Sequence, residues 1–411
     1  MTGGWHDAIV VGGGPVGAAV ARGIASAGFR VTILERDRRV GHPVQCSGLV
    51  TDRTLAAAGL DPRMALNTLS GAAVHAPSGA RYEIGGDRIH AYVLNRAQFD
   101  VEVMTQAVEV GGDLQIGTRV TGIEHIPGGV QLTAERDGKP LIFRSRLVVG
   151  ADGPRSLVAD FLGLPPPIEI LRARGADALL PRRPPINQVQ IFVGERYAPG
   201  FFAWVIPLGG DRYRIGWGSS RTGRGANHLA ALIADFPEIF DGIEILTQTG
   251  GLIPLGPRPR TAGKAGMVVG DAAGQAKATS GGGLYTGLTC AAHCSRVAIK
   301  ALVGGDMTEE HLSAYDRDWR ADIGGELTRA TVLRRAYRNL TDAELEWGLR
   351  LLRVPGIRHL VNHYGDIDYP SRLAAPALRA APTLRRLLGD KAGLVELLHQ
   401  GTGVPVRLAG D

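Results

Sequence analysis

Cysteine is scarce. The three in 411 residues, Cys46, Cys290 and Cys294, are too few for a disulfide framework and too scattered to ligate an iron–sulfur cluster. That usage suits a reducing compartment, and the cytoplasm is the expectation. No stretch approaches eighteen consecutive apolar residues, and the first strand begins almost at the N-terminus, so neither a spanning helix nor a signal peptide is expected. Lysine is thin as well, with none before Lys139 and then only Lys264, Lys277, Lys300 and Lys391. The basic excess, 46 residues against 40 acidic, therefore rests on arginine. It is mild, and a general preference for arginine accounts for it more simply than an anionic substrate or membrane surface. Nothing resembles a nucleic-acid module. Repeats and low-complexity tracts are missing too. What is present is ordinary for a globular chain, 44% hydrophobic and 21% charged, with length enough for two domains with cores.

Residues 7–35, DAIVVGGGPVGAAVARGIASAGFRVTILE, carry the sharpest signal. A short β-rich run at 8–11 leads into Gly12, Gly14 and Gly17 at G-x-G-x-x-G spacing, with Pro15 opening a helix. Gly12 permits the tight turn, Gly14 lets the backbone approach a pyrophosphate at the helix N-terminus, and Gly17 lets the helix lie close on the sheet. Glu35 follows at the end of a second strand, about twenty residues on, where a carboxylate can accept hydrogen bonds from a ribose diol. The unit binds an ADP moiety, and by itself it does not separate NAD from FAD.

The far end of the chain separates them. Residues 267–287, MVVGDAAGQAKATSGGGLYTG, give a strand, Gly270-Asp271 and a second glycine-rich stretch opening an apolar helix. This resembles the second flavin fingerprint of glutathione-reductase-type and hydroxylase-type flavoproteins. In those families the Asp holds the ribityl chain, and the helix N-terminus faces the pyrimidine edge that turns negative on reduction. Residues 148–156, VVGADGPRS, resemble the Asp-Gly turn that hydroxylase-like flavoproteins set beside the pyrophosphate, with Asp152 in place. Three such segments in the family's order imply FAD.

The organisation reads as interleaved. A helix is expected over 100–111, then a strand at 113–119 and a β-meander over 121–146 with turns at Gly128-Gly129 and Asp137-Gly138. Proline clusters at 165–167 and 181–185 mark the exit into a second region, in which 188–219 reads as antiparallel strands roofing the flavin. The chain returns at Gly266 and ends in helices, with Thr308 before Glu309 and Glu310 as a helix start and Thr341 with Glu344 as a capping box. The resulting division is 1–70, 101–165 and 263–305 for the cofactor domain, 71–100 and 166–262 for the substrate domain, and 306–411 for a helical region.

Residues 202–207, FAWVIP, followed by Gly216-Trp217-Gly218, resemble the Y-x-W-x-F-P-x7-8-G-x-G motif of geranylgeranyl reductases. Residues 44–48, VQCSG, resemble that family's cysteine loop, and 93–100, VLNRAQFD, its L-D/N-R-x-x-F-D segment. The likeness spans about 7–320. Phe202 stands for the usual Tyr and Ile206 for the usual Phe. The stretch also resembles the W-x-W-x-I-P motif of flavin halogenases, but the lysine those enzymes need after the first FAD segment has no counterpart before Lys139.

The resemblance implies an α/β fold, α+β in its second domain: a Rossmann-type FAD-binding domain, an interleaved antiparallel substrate sheet and a helical C-terminal extension. It implies FAD contacts from Gly12, Gly14, Pro15, Gly17, Glu35, Arg36, Gln45, Ser47, Arg96, Val120, Asp152, Asp271, Gly282, Gly283 and Leu284. Phe202, Trp204, Ile206, Pro207 and Trp217 are the expected substrate wall, although Trp217 also reads as plain sheet core. Cys46 is either a proton donor beside the flavin or a small packing residue; Cys290 and Cys294 read as core. The implied chemistry is saturation of isolated double bonds in a prenyl chain by reduced FAD, hydride going to the tertiary, cation-like carbon and a proton to its neighbour. NAD(P)H or an external donor, for instance an electron-transfer protein, would reduce the FAD. An aromatic hydroxylase on the same fold is the alternative, and a flavin-containing electron carrier to quinone a more distant one. Residues 328–338, with Arg329, Arg334, Arg335 and Arg338 among apolar residues, read as a basic helix that docks on an anionic bilayer or simply faces solvent.

Overall fold

The N-terminal apolar run becomes the centre of a sheet in the computed structural model, which describes residues 4–220 and 227–373. Strand His6–Val11 lies parallel to Val31–Leu34 on one side and Lys139–Gly150 on the other. Asp113–Gln115 and Gly266–Val268 extend the parallel array outward. Both faces are covered, so these strands read as continuous apolar runs rather than as alternation. Helices Pro15–Ser26, Arg96–Glu109 and Leu284–Gly304 pack against the sheet around one core that includes Cys290 and Cys294. Burial pushes both thiols up. They are core, as expected.

The meander forms as read: Arg119–Ile126, Gly129–Arg136 and Lys139–Gly150 are antiparallel neighbours. Asp137 and Gly138 join the last two at φ of 50° and 74°, the left-handed pair that a two-residue hairpin turn needs. The helix expected from residue 100 starts at Arg96, because the Asn95 side chain caps it by accepting from the Gln98 amide.

A second sheet runs in the order Glu244–Leu255, Glu169–Leu179, Arg212–Ser219, Phe202–Gly209, Gln188–Val193, Gly71–His75, Arg81–Gly85. Its strands are antiparallel except where Gln188–Val193 runs parallel to Gly71–His75, so the expected antiparallel sheet is mixed. The 71–85 hairpin arrives from a distant stretch of chain, and local alternation cannot show which edge it joins. Helices His228–Asp235 and Pro237–Phe240 cover the outer face of this sheet. The inner face, with Phe202 and Trp204, packs toward Ala276 and Ala278 of the cofactor domain.

The C-terminal helices begin where their caps predict. Thr308 accepts from His311, and Thr341 and Glu344 form the reciprocal box. The tail of the expected helical region, 374–411, lies outside the described residues. The basic surface expected over 328–338 does not form. Arg334 is buried against Glu169, Arg338 reaches the same carboxylate, and Arg329 bonds Ser371 and Glu326. Glu169, from a distant strand, takes Arg334 and Arg338, and Glu326, one turn back on the helix, takes Arg329, whereas Arg335 is exposed.

Candidate functional site

The glycine turn has the geometry its spacing implies. A Cβ on Gly12, at φ +104°, would lie 2.3 Å from the Ala151 carbonyl oxygen, and one on Gly17 would lie 2.2 Å from that of Gly12. Gly14, which caps the helix, has nothing within 4 Å of its Cβ position, so the turn is open on the side where a pyrophosphate would approach. Glu35 does more than its place in the sequence suggests. Its carboxylate accepts from Gly13 N at 2.6 Å and from Asp37 N at 2.7 Å, bracing the turn from within. Asp152 stands across the turn with one oxygen accepting from Val158 N and the other, Oδ1, buried without a partner. Burial pushes its carboxyl up, against hydrogen bonds from Ser156 and the backbone. Val120 packs beside this end against the Ile9 and Leu34 core. Arg36 points into solvent with Asp37 as partner.

At the other end, Asp271 follows Gly270 in a single helical turn. It is half-buried; burial pushes its carboxyl up to about 6, against the pull of Arg96. A Cβ on Gly283 would come within 3.0 Å of Asp271 Oδ1, so the glycine lets the Leu284–Gly304 helix begin hard against the carboxylate. A Cβ on Gly281, at φ +73°, would lie 3.2 Å from Ile253 of the second sheet and 3.4 Å from Phe201 beside it. Thr279 Oγ1, in the same loop, is buried without a partner.

The cysteine loop lies between the two sheets. Gln45, Cys46 and Ser47 share a cavity of about 30 Å³ with Trp204, Arg214, Thr249 and Gly251. The Arg96 side chain reaches the Cys46 sulfur and pairs with Asp100 at 2.9 Å. Burial pulls the guanidinium down, but the sulfur and the carboxylate outweigh it and leave Arg96 raised. From the roof, Arg214 donates to the Ser47 carbonyl at 3.0 Å while Asp177 holds it at 2.7 and 3.2 Å, and Thr249 Oγ1 donates to the Val44 carbonyl at 2.5 Å.

The strand motif has a steric meaning. Trp204 and Gly216 are directly opposed across neighbouring strands, and a Cβ on Gly216 would fall 2.3 Å from the indole. Gly218 gives the same room to Phe201, at 2.5 Å. The ring of Trp204 thus lies flat on the roof, its Nε1 buried without a partner and its edge against Phe202 at 5.8 Å. Phe202 in turn lines a second, apolar cavity of about 90 Å³ with Ile191, Phe201, Tyr337, Leu340 and Leu345.

Three expected wall residues line neither cavity. Trp217 lies between two glycines that face inward, so the period of two sends its side chain outward into the cluster around Leu232 and Phe240. Ile206 is buried among Leu69, Val93 and Val189 in the cluster that Trp204 also joins, and it lines neither cavity. Pro207 is buried opposite Tyr213 at a bulge and lines neither cavity. Sequence reasoning missed Arg214 and Asp177, an ion pair formed by cross-strand neighbours that only the strand register brings together.

The donors and spaces fit an FAD. Buried polar atoms without a partner lie on Asp152, beside the open glycine turn, and on Thr279, in the loop that leads into the Leu284–Gly304 helix. Comparison with known proteins agrees. The family described as "FAD binding domain" matches residues 6–331. Digeranylgeranylglycerophospholipid reductase 1 of Methanococcoides burtonii is 30% identical over 83% of this chain and 86% of its own. Reductase 2 of that organism is 29% identical over 96% and 97%. Among solved structures, a geranylgeranyl bacteriochlorophyll reductase-like protein from Thermoplasma acidophilum superposes with a TM-score of 0.82 at 21% identity, covering 94% of this chain and 98% of that one. A flavin-dependent brominase shares the fold at a TM-score of 0.69 and 18% identity, covering 87% and 92%.

Proposed function

The chain belongs to the geranylgeranyl reductase family of FAD-binding-domain proteins, and from that premise we propose that it saturates carbon–carbon double bonds of a geranylgeranyl-type chain carried on a lipid, quinone or related isoprenoid. It is an FAD-dependent oxidoreductase, and the observation that carries the substrate reading is Trp204, laid over Gly216 and sharing a small cavity with the Cys46 loop. We assign the ADP end of FAD to the 12–17 turn with Glu35 and Asp152, and the flavin end to Asp271 and residues 282–284. Bound and reduced, FAD supplies the hydride.

The protein supplies the rest. Faces of Trp204 and Phe202 hold the hydrocarbon by area burial, worth roughly 25 cal/mol per Å², and stabilise positive charge developing on the substituted carbon. Gly216 under the indole keeps that wall of the cavity flat. Cys46 Sγ holds the proton for the neighbouring carbon, with the Arg96 guanidinium beside it. A prenyl chain running past Phe202 has room for its end in the apolar cavity behind.

No described helix is long and apolar enough to cross a membrane, so a lipid substrate calls for peripheral contact. The stretch 342–367 favours that reading, since it exposes Trp347, Val354, Tyr364 and Ile367 along with Arg350, Arg353 and Arg358. The deciding experiment is anaerobic: dithionite-reduced protein is mixed with geranylgeranyl lipids and prenylated quinones, and products are weighed. Gain of two hydrogens per bond, with matching flavin reoxidation, is expected. Reoxidation only with O₂ and an aromatic substrate would instead establish the hydroxylase.

A further inference from the structure

Residues 366–372, DIDYPSR, lie beyond the end of the matched family region at 331 and yet are tied to both cofactor-binding parts of the chain. Asp366 takes a two-pronged bond from Arg53 at 2.9 and 3.0 Å. Asp368, 1% exposed, accepts from Thr51 and from Lys277 Nζ, the latter at 2.6 Å. Lys277 also donates to the Ile367 carbonyl at 3.0 Å, and its side chain is 5% exposed. Tyr369 meets Tyr285, in the first turn of the Leu284–Gly304 helix, hydroxyl to hydroxyl at 2.8 Å. Ser371 donates to the buried Glu326.

Lys277 is the first residue of the glycine loop that starts this helix. Its backbone closes the loop, accepting from Gly281 N at 2.8 Å and donating to the Gly282 carbonyl at 3.0 Å. Its stem covers Gly282, whose Cβ position is 3.2 Å from Lys277 Cε. Three successive glycines, residues 281–283, have little stiffness of their own, so whatever fixes them must come from outside. The buried ammonium, fastened at its tip to a segment some ninety residues away, does this. A charge is retained in such a place at a desolvation cost that an apolar residue would not incur.

We propose that 366–372 is a strap that sets the glycine loop for FAD, with Lys277 and Asp368 as positioning residues for the flavin end of the cofactor. The strap holds the amides at the helix N-terminus where the negative charge of the reduced cofactor is met. It has no part in binding the ADP end, which sits at the 12–17 turn.

The test compares two ligands on apo-protein. Lys277→Met/Asp368→Leu removes both charges at similar volume, so neither is left buried alone. FAD affinity should fall at least tenfold and the bound flavin should become harder to reduce, while ADP binds as in the wild type. Tyr369→Phe, a near-isosteric change, should weaken FAD about threefold with ADP again unchanged, and it decides the matter if the double variant does not fold. Equal losses for FAD and ADP, or none for either in Tyr369→Phe and the double variant, would overturn the proposal.

Discussion

Asp271 pits binding against stability. Its carboxyl is raised from 3.8 to about 6 in the folded protein, so between those values the unfolded chain releases a proton that the folded one keeps. Folded stability therefore falls as pH rises through that window and is flat above it, a cost of about 3 kcal/mol in the apo-protein. Asp271→Asn removes the penalty. Thermal melts of apo-protein should find the variant more stable than wild type above pH about 6, the gap closing toward pH about 4, while FAD retention drops because the ribityl chain loses a charged acceptor and keeps only the weaker amide oxygen. A gap that widens on acidification would contradict this. Cys46 is the other residue with a single assigned task. A serine hydroxyl matches its size but is a far weaker acid, so Cys46→Ser should slow anaerobic reoxidation of reduced flavin by a prenyl substrate at least tenfold with affinity unchanged. Unchanged speed would leave the sulfur as packing.

Paired strands explain why some of the site could be read in advance and some could not. The glycine turn is legible because its chemistry is local: Gly12, Gly14, Gly17 and Glu35 lie on one strand–helix–strand unit, where Gly12 and Gly17 have the close approaches that spacing predicts, although the spacing does not foretell the bond from Gly13 to Glu35. Trp204 and Gly216 were legible as a motif but not as a contact, since the register that stacks them belongs to two strands at once. Trp217 was readable from alternation alone, because a residue between two inward glycines must point outward. Arg214, Asp177 and Asp368 left no local trace; they matter through partners far along the chain. The strand pair itself is testable. Gly216→Val would force a branched side chain into the space of the indole and should displace it without touching FAD. Trp204→Ala should cost a few kcal/mol of substrate grip, one to two powers of ten in turnover at limiting substrate. If Gly216→Val leaves substrate affinity intact, the indole is not the wall of the cavity.

Across the whole molecule, catalysis as proposed requires two sheets to agree on the position of one sulfur. The 44–48 loop belongs to the cofactor side, yet its carbonyls at Val44 and Ser47 are held by Thr249 and Arg214 of the roof. Arg214 can do this because Asp177, on the neighbouring strand, takes its other two nitrogens, and because Gly48 leaves space beside the guanidinium. Lysine keeps the charge but not the fork, so Arg214→Lys can serve the carboxylate or the loop and not both. FAD should stay bound, since the ADP end is distant and Asp271 is untouched, whereas substrate-driven reoxidation should slow about tenfold. The same rate loss would arise if Arg214 merely supported the roof. A double-mutant cycle separates these cases. If Arg214 acts by placing Cys46, then once the sulfur is gone there is nothing left to place, and Arg214→Lys/Cys46→Ser should be no slower than the slower single variant. Rate losses that multiply in the double variant would mean that the two residues act independently and that the roof does not set the proton donor.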